Sequence, residues 1–232
     1  MRALRRLPHV VLRRRLATEG SARHLLVEAT ARQLKGDIPR AEELARAALG
    51  ALDADDVAAR VDVWIFLGKL SQLQGKFDAA EAFFRDARSA QADADAFHST
   101  SLLAHALRLQ GRDAEAVAEY RAAVDGLEAT RGWADGATNH AATALAALLG
   151  EAEAGLAEAE DVQARAEDGL VAVFGPSDPR ALAARIERAK LAARSGRKDD
   201  ARDMLATAMA DLDPRHPAYR TAMAAEADLD DT

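Results

Sequence analysis

Residues 64–87 open Trp64-Ile65-Phe66-Leu67-Gly68, continue to Gly75-Lys76-Phe77-Asp78-Ala79-Ala80, and close on Phe84 and Ala87. The order of residue types here decides the fold. Gly75 takes the left-handed conformation that ends a helix at little cost. The charged turn after it carries Asp78, a residue type that satisfies the free N–H groups of a helix start. Ala80 and Ala87 lie seven apart, hence on one helical face, and leave room for a neighbouring helix to pack close. The stretch reads as an αα-hairpin, a unit that cannot bury its apolar face alone.

The same pattern recurs along the chain. Gly36-Asp37-Ile38-Pro39-Arg40-Ala41, Gly111-Arg112-Asp113-Ala114-Glu115-Ala116 and Gly196-Arg197-Lys198-Asp199-Asp200-Ala201 each place Ala five positions after Gly. A second Ala follows seven further on, at Ala48, Ala123 and Ala208. Pro39 suits a first helical turn, where its missing N–H breaks no intrahelical bond. Gly36 and Gly75 are 39 apart, Gly75 and Gly111 36 apart, and the 85 residues to Gly196 leave room for two units of about 42. Inside that gap the expected helices run over about 137–149 and 152–172, with Ala159 and Ala166 as the paired small residues.

Composition agrees with stacked helices. The 232 residues are 49% hydrophobic and only 4% aromatic, so the core rests on Ala and Leu. These are strong helix formers, and strand material is sparse. The absence of cysteine excludes disulfides, thiolate catalysis and Cys-based zinc sites. No apolar run approaches the roughly 18–20 residues of a membrane span. The net charge of -7 conceals an asymmetry. Residues 1–23 hold Arg2, Arg5, Arg6, Arg13, Arg14, Arg15 and Arg23 against Glu19 alone, leaving 24 basic and 37 acidic residues in the remainder. With Leu4, Leu7, Val10, Val11 and Leu12 interleaved, residues 1–20 read as a basic amphipathic arm, the one candidate for nucleic-acid or membrane contact.

Trp64-x-x-Leu67-Gly68 followed by Ala80-x-x-x-Phe84 resembles the tetratricopeptide repeat pattern. The third unit keeps Leu103, Ala104, Leu107, Gly111, Ala116, Tyr120 and Ala123, and the first keeps Leu25, Ala29, Gly36, Ala41 and Ala48. Ser71 stands where the family usually has Tyr, and Ala92 where it often has Pro. Gly175-Pro176-Ser177-Asp178-Pro179 and Asp213-Pro214-Arg215-His216-Pro217 resemble the long turn of kinesin-light-chain-type repeats, whose period is near 42. The resemblance covers the chain from residue 21 onward. It implies an all-α, right-handed superhelical solenoid of about five helix-turn-helix repeats, at about 21–53, 58–91, 96–129, 137–174 and 179–212. A capping helix over 217–227 and an acidic tail, 228–232, complete it.

In such solenoids the first helix of each hairpin lines a concave binding groove. With the core face at Trp64, Leu67 and Gly68, helical phase turns Asp62, Ile65, Lys69 and Gln72 toward that groove. The same phase gives Arg23, Leu26, Thr30 and Gln33 in the first hairpin and His98, Ser101, His105 and Arg108 in the third. It gives Ile186 and Lys190 in the fifth, and Asn139 with His140 in the fourth. Lys69, His105, Arg108 and Lys190 against Asp62 make a mildly basic centre, which suits an acidic peptide or a free carboxylate. The familiar carboxylate clamp of this family uses Asn beside Lys and Arg, and this chain has Asn139 alone.

Catalytic patterns are missing. His98 and His105 are two turns apart, about 10 Å by helix rise, too far to share a metal ion unaided. No His-Glu-x-x-His, phosphate loop or Gly-x-Ser-x-Gly elbow occurs. The expectation is a non-catalytic, cofactor-free scaffold or adaptor holding a protein segment. The alternative is a sensor module that binds a small ligand or signalling peptide and acts through a separate effector. Ala-, Arg- and Asp-heavy usage with few Lys, Asn and Ile points to a high-GC bacterium, and the lack of an apolar stretch long enough for a signal peptide points to its cytoplasm.

Overall fold

The computed structural model describes residues 9–91 and 93–230. Arg2, Leu4, Arg5, Arg6 and Leu7 of the basic arm, Ala92 and the last two residues of the tail lie outside the described residues. Among those described, the regular elements are helices α1 (His9–Leu34), α2 (Ile38–Ala51), α3 (Val57–Leu73), α4 (Phe77–Ser89), α5 (Asp93–Leu109), α6 (Asp113–Arg131), α7 (Gly136–Gly150), α8 (Leu156–Phe174), α9 (Pro179–Arg194), α10 (Lys198–Asp211) and α11 (Pro217–Asp230). A 3₁₀ turn, Glu153–Gly155, precedes α8. The fold is all-α, built of consecutive helix pairs with α11 added at the end.

Two compact units divide between Arg112 and Asp113, so α1–α5 belong to the first and α6–α11 to the second. The division falls beside Gly111, within the stretch expected as the third hairpin.

One turn chemistry is used four times. Gly36, Gly75, Gly111 and Gly196 all stand at positive φ, between 71° and 82°. At Gly75 the amide of Lys76 donates to the Ser71 carbonyl at 2.9 Å, and Gly75 N donates to the Gln72 carbonyl at 3.0 Å. Arg112 and Gly111 repeat this onto Leu107 and Arg108 at 3.0 and 2.9 Å. The paired bonds satisfy the last carbonyls of the preceding helix, and the left-handed residue between them favours glycine. Starts are set by side chains: Asp37, Asp135 and Asp178 accept from Arg40 N, Ala137 N and Arg180 N at 3.3, 2.9 and 3.0 Å.

The paired alanines lie at the helix contacts. Ala41, Ala48, Ala80, Ala87, Ala116, Ala123, Ala159, Ala166, Ala201 and Ala208 are all fully buried. Their small size lets backbones approach, and larger residues fill the space between. Gly68 shows how tight this is: a Cβ there would lie 2.4 Å from Cε1 of the buried Phe84 ring. Trp64, taken as part of the core face, is instead half-buried, with the Arg60 guanidinium 4.9 Å from its ring centre.

The terminal helices run past the bounds expected for the repeats and cap. The backbone of His9–Gly20 continues α1 without a break. At the other end α11 runs on to Asp230, and Leu229 is buried in a core with Leu205, Leu212, Ala222 and Ala225.

Candidate binding clefts on the first-helix faces

In the first unit the structure brings three of the expected groove residues, Arg23, Leu26 and Asp62, together. Arg23 of α1 and Asp62 of α3, both exposed, line one cleft of about 130 Å³ with Leu26, Ala59 and Val63. Lys69 is exposed, and Gln33, Ile65, Gln72, His98, His105 and Arg108 are half-buried. The Gln72 amide nitrogen is buried with no acceptor. Ser101 is a correction: at 6% exposure it is enclosed between helices and has almost no surface to offer.

In the second unit the first helices α7 and α9 flank a cleft of about 380 Å³. Asn139, His140 and Thr143 come from α7, and Arg180, Ala183 and Glu187 from α9, each set at helical spacing along one face. Asn139 has a structural duty as well. Its side-chain amide donates to the Trp133 carbonyl and, at 3.3 Å, to the Asp135 carbonyl, tying down the turn that precedes α7. Arg180 is held by Asp178, with Nε and Nη2 donating to its two carboxylate oxygens at 2.8 and 2.9 Å. These donors and the Arg180 amide hold the Asp178 carboxyl down at about 2.

Gln163 is the residue the phase argument missed. It sits on α8, a second helix, yet its side chain lines this cleft. It is 1% exposed, its Nε2 donates to the Ala184 carbonyl at 3.2 Å, and its Oε1 has no hydrogen-bond partner. An orphaned buried amide oxygen costs about 1–3 kcal/mol, and a ligand in the cleft reaches this one only if the side chain turns toward it. The signal in the sequence was a lone amide on an apolar helical face, between Val162 and Ala166.

The fifth-hairpin phase was also displaced. Ile186 is 1% exposed and packs in the core with Leu182 and Ala189. The cleft-facing residues of α9 are Ala183 and Glu187 instead. Lys190 lines a second cleft of about 470 Å³ between α9 and α11, with Arg194, Lys198, Asp228 and Leu229. Its Nζ donates to Glu187 Oε1 at 2.7 Å. Three cations against one carboxylate give that cleft a positive balance. Lys69, His105 and Arg108 of the expected basic centre belong to the first unit, Lys190 to the second.

Among the described residues no three His, Asp or Glu side chains converge as a metal site, and no helix is long and apolar enough to cross a membrane.

Similar folds have been solved. The chain is similar to BtubC (BKLC) from P. vanneervenii at 20% identity, with 87% of this chain and 86% of that one covered and a TM-score of 0.74. It is similar to the nearly identical TPR-like repeats of a putative kinesin light chain of Podospora anserina at 18% identity, 82% and 93% coverage and TM-score 0.71. A tetratricopeptide repeat protein of Parabacteroides merdae gives 20% identity, 90% and 72% coverage and TM-score 0.67. No protein-family model matches the chain, and no curated protein matches it in sequence. The fold is that of tetratricopeptide-like repeat proteins, kinesin-light-chain-type repeats among them.

Proposed function

We propose that the protein is a non-catalytic scaffold that holds an extended segment of a partner protein along α7, α9 and α11. The observation that carries this is the cleft of about 380 Å³ between α7 and α9, a largely apolar surface with the polar side chains of Asn139, His140 and Thr143 along one wall. An extended peptide can lie along such a wall, and Ala134 and Ala183 offer it accessible apolar surface. The neighbouring cleft of Lys190, Arg194 and Lys198 suits acidic side chains of the same segment. The grip therefore rests on cleft shape and a cationic neighbouring cleft, in place of the asparagine-rich lining that the chain lacks.

Repeat proteins of this fold commonly bind through extended concave surfaces, which favours protein capture over chemistry. The experiment replaces His140, exposed at the cleft mouth, with photo-crosslinking p-benzoylphenylalanine in the producing cell. The control carries the same group at exposed Ala122 of α6. A partner cross-linked from His140 and not from Ala122 supports the proposal. Equal yields at both positions, or none at His140, contradict it.

A further inference from the structure

A glutamate link joins successive helix pairs, and it fails at one place. Glu42, six residues after Gly36, accepts from Gln74 Nε2 at 2.9 Å and lies 3.7 Å from Lys76 Nζ. Glu81, six after Gly75, accepts from Gln110 Nε2 at 2.9 Å and Arg112 Nη1 at 2.7 Å. Glu160, one after Ala159, accepts from Ser195 Oγ at 2.7 Å and from Arg197. In each case the donors flank the turn glycine of the next pair.

After Gly111 the sixth residue is Val117. The turn that should answer it has also changed: α7 ends at Gly150, followed by Glu151 and the 3₁₀ turn. Arg46 and Arg85 pair with Glu42 and Glu81 of their own helices. Arg121, four residues beyond Val117, has no such partner on its helix and reaches across to α8. Its Nε and Nη2 donate to Glu158 Oε1 and Oε2, both at 2.6 Å.

The lapse leaves a cleft of about 570 Å³ between α6 and the start of α8, sharing no residue with the first-helix clefts. Its floor is apolar: Val117, Leu148, Leu149 and Ala152. Its rim carries Asp113, Glu151 and Glu158 against Arg121 alone. Gly155 holds the 3₁₀ turn against the end of α7 so closely that a Cβ there would meet the Leu149 carbonyl oxygen at 2.2 Å.

We propose that this cleft docks the Arg-rich segment of residues 2–15 from a second copy of the chain. Two observations select that occupant. An acid-rimmed apolar cleft calls for a cationic segment with aliphatic anchors, and residues 2–15 carry six arginines and no acid, interleaved with Leu4, Leu7, Val10, Val11 and Leu12. Secondly, α1 has 26 residues and α2 only 14. At helix rise these are about 39 and 21 Å, so α2 is too short to cover the first turns of α1. A contact between one copy's segment and another copy's cleft closes as a two-fold dimer when it is reciprocated and otherwise builds rings or open chains. Charge dominates the rim, so association weakens as salt shortens the Debye length.

The test is sedimentation velocity on the full chain over a concentration series at about 50 mM and about 500 mM salt. It is repeated on a deletion of residues 2–15, on the double variant D113K/E151K and on V117K, each checked by circular dichroism for native helicity. A labelled synthetic peptide of residues 2–15 is titrated into the deletion protein. The expected result is concentration-dependent association of the full chain that salt suppresses. Association should be lost on deletion and weakened at least about tenfold in either cleft variant, the effect of roughly 1.4 kcal/mol. The peptide should bind the deletion protein and lose the same factor on D113K/E151K. A full chain that stays monomeric throughout overturns the proposal, even where the peptide binds in isolation. So does association that the cleft variants leave unchanged.

Discussion

Arg112 Nη1 donates to Glu81 Oε2 at 2.7 Å, joining the turn at Gly111 to helix α4, 31 residues earlier in the chain. Burial alone would raise the Glu81 carboxyl. Hydrogen bonds from Gln110, Arg85 and Arg112 outweigh it and hold Glu81 below the ordinary carboxylate range. Glu42 is lowered in the same way, chiefly by Gln74 and Arg46. A carboxylate depressed on folding stabilises above its unfolded value, near 4.5, and that contribution is lost as pH falls through the folded value. Urea midpoints should therefore drop between pH 5 and pH 3. E81Q should lower stability by about 1–2 kcal/mol at neutral pH and flatten that acid slope. A slope unchanged in E81Q together with E42Q would contradict the assignment.

The Gly68–Phe84 contact makes a second prediction. G68A forces the Phe84 ring to move in a packed core, at a cost of about 1–3 kcal/mol. F84L alone should also destabilise, but G68A/F84L should be more stable than the sum of the two losses predicts. A double-mutant cycle on denaturation midpoints measures that coupling; strict additivity would mean the ring has room to move.

Two glycines near helix ends should respond with opposite sign. Gly75 has φ +71°, and G75A should cost about 1–2 kcal/mol from left-handed strain. Gly50 lies inside α2 with open space around its would-be Cβ. G50A should instead stabilise by about 0.5–1 kcal/mol through helix propensity and unfolded-state entropy. Thermal melts of the two variants decide it.

Glu167 is 5% exposed and accepts from Arg185 Nε at 2.7 Å and Arg188 Nη1 at 3.1 Å, binding α8 to α9. Both arginines reach solvent in part, so they rehydrate when it is removed. E167Q should cost about 1–3 kcal/mol, below the loss from a fully buried pair. The loss should concentrate in the second unit, read by faster hydrogen exchange in α8 and α9.

The fold was legible because its signals are local. Each turn glycine and each alanine pair acts within one hairpin, and their meaning survives without knowledge of the neighbours. What escaped depends on relations between hairpins. Glu42, Glu81 and Glu160 stand one residue after a packing alanine, but their partners lie 29 to 37 residues on. The α9 phase failed because the helix is alanine-rich: Ala181, Ala184, Ala189 and Ala192 are buried while Ala183 faces the cleft, and composition offers no contrast between them. Gln163 was passed over because only first helices were considered as groove walls.

The central claim is that the α7–α9 cleft holds a partner segment through its shape. Calorimetric titration of the segment cross-linked at His140, made as a synthetic peptide, tests it most directly. The comparison is between wild type and A183W, which fills the cleft from a position that is only half-buried. The account predicts at least about a tenfold loss of affinity, roughly 1.4 kcal/mol, with an unchanged melting temperature. Equal affinity of A183W and wild type would contradict it.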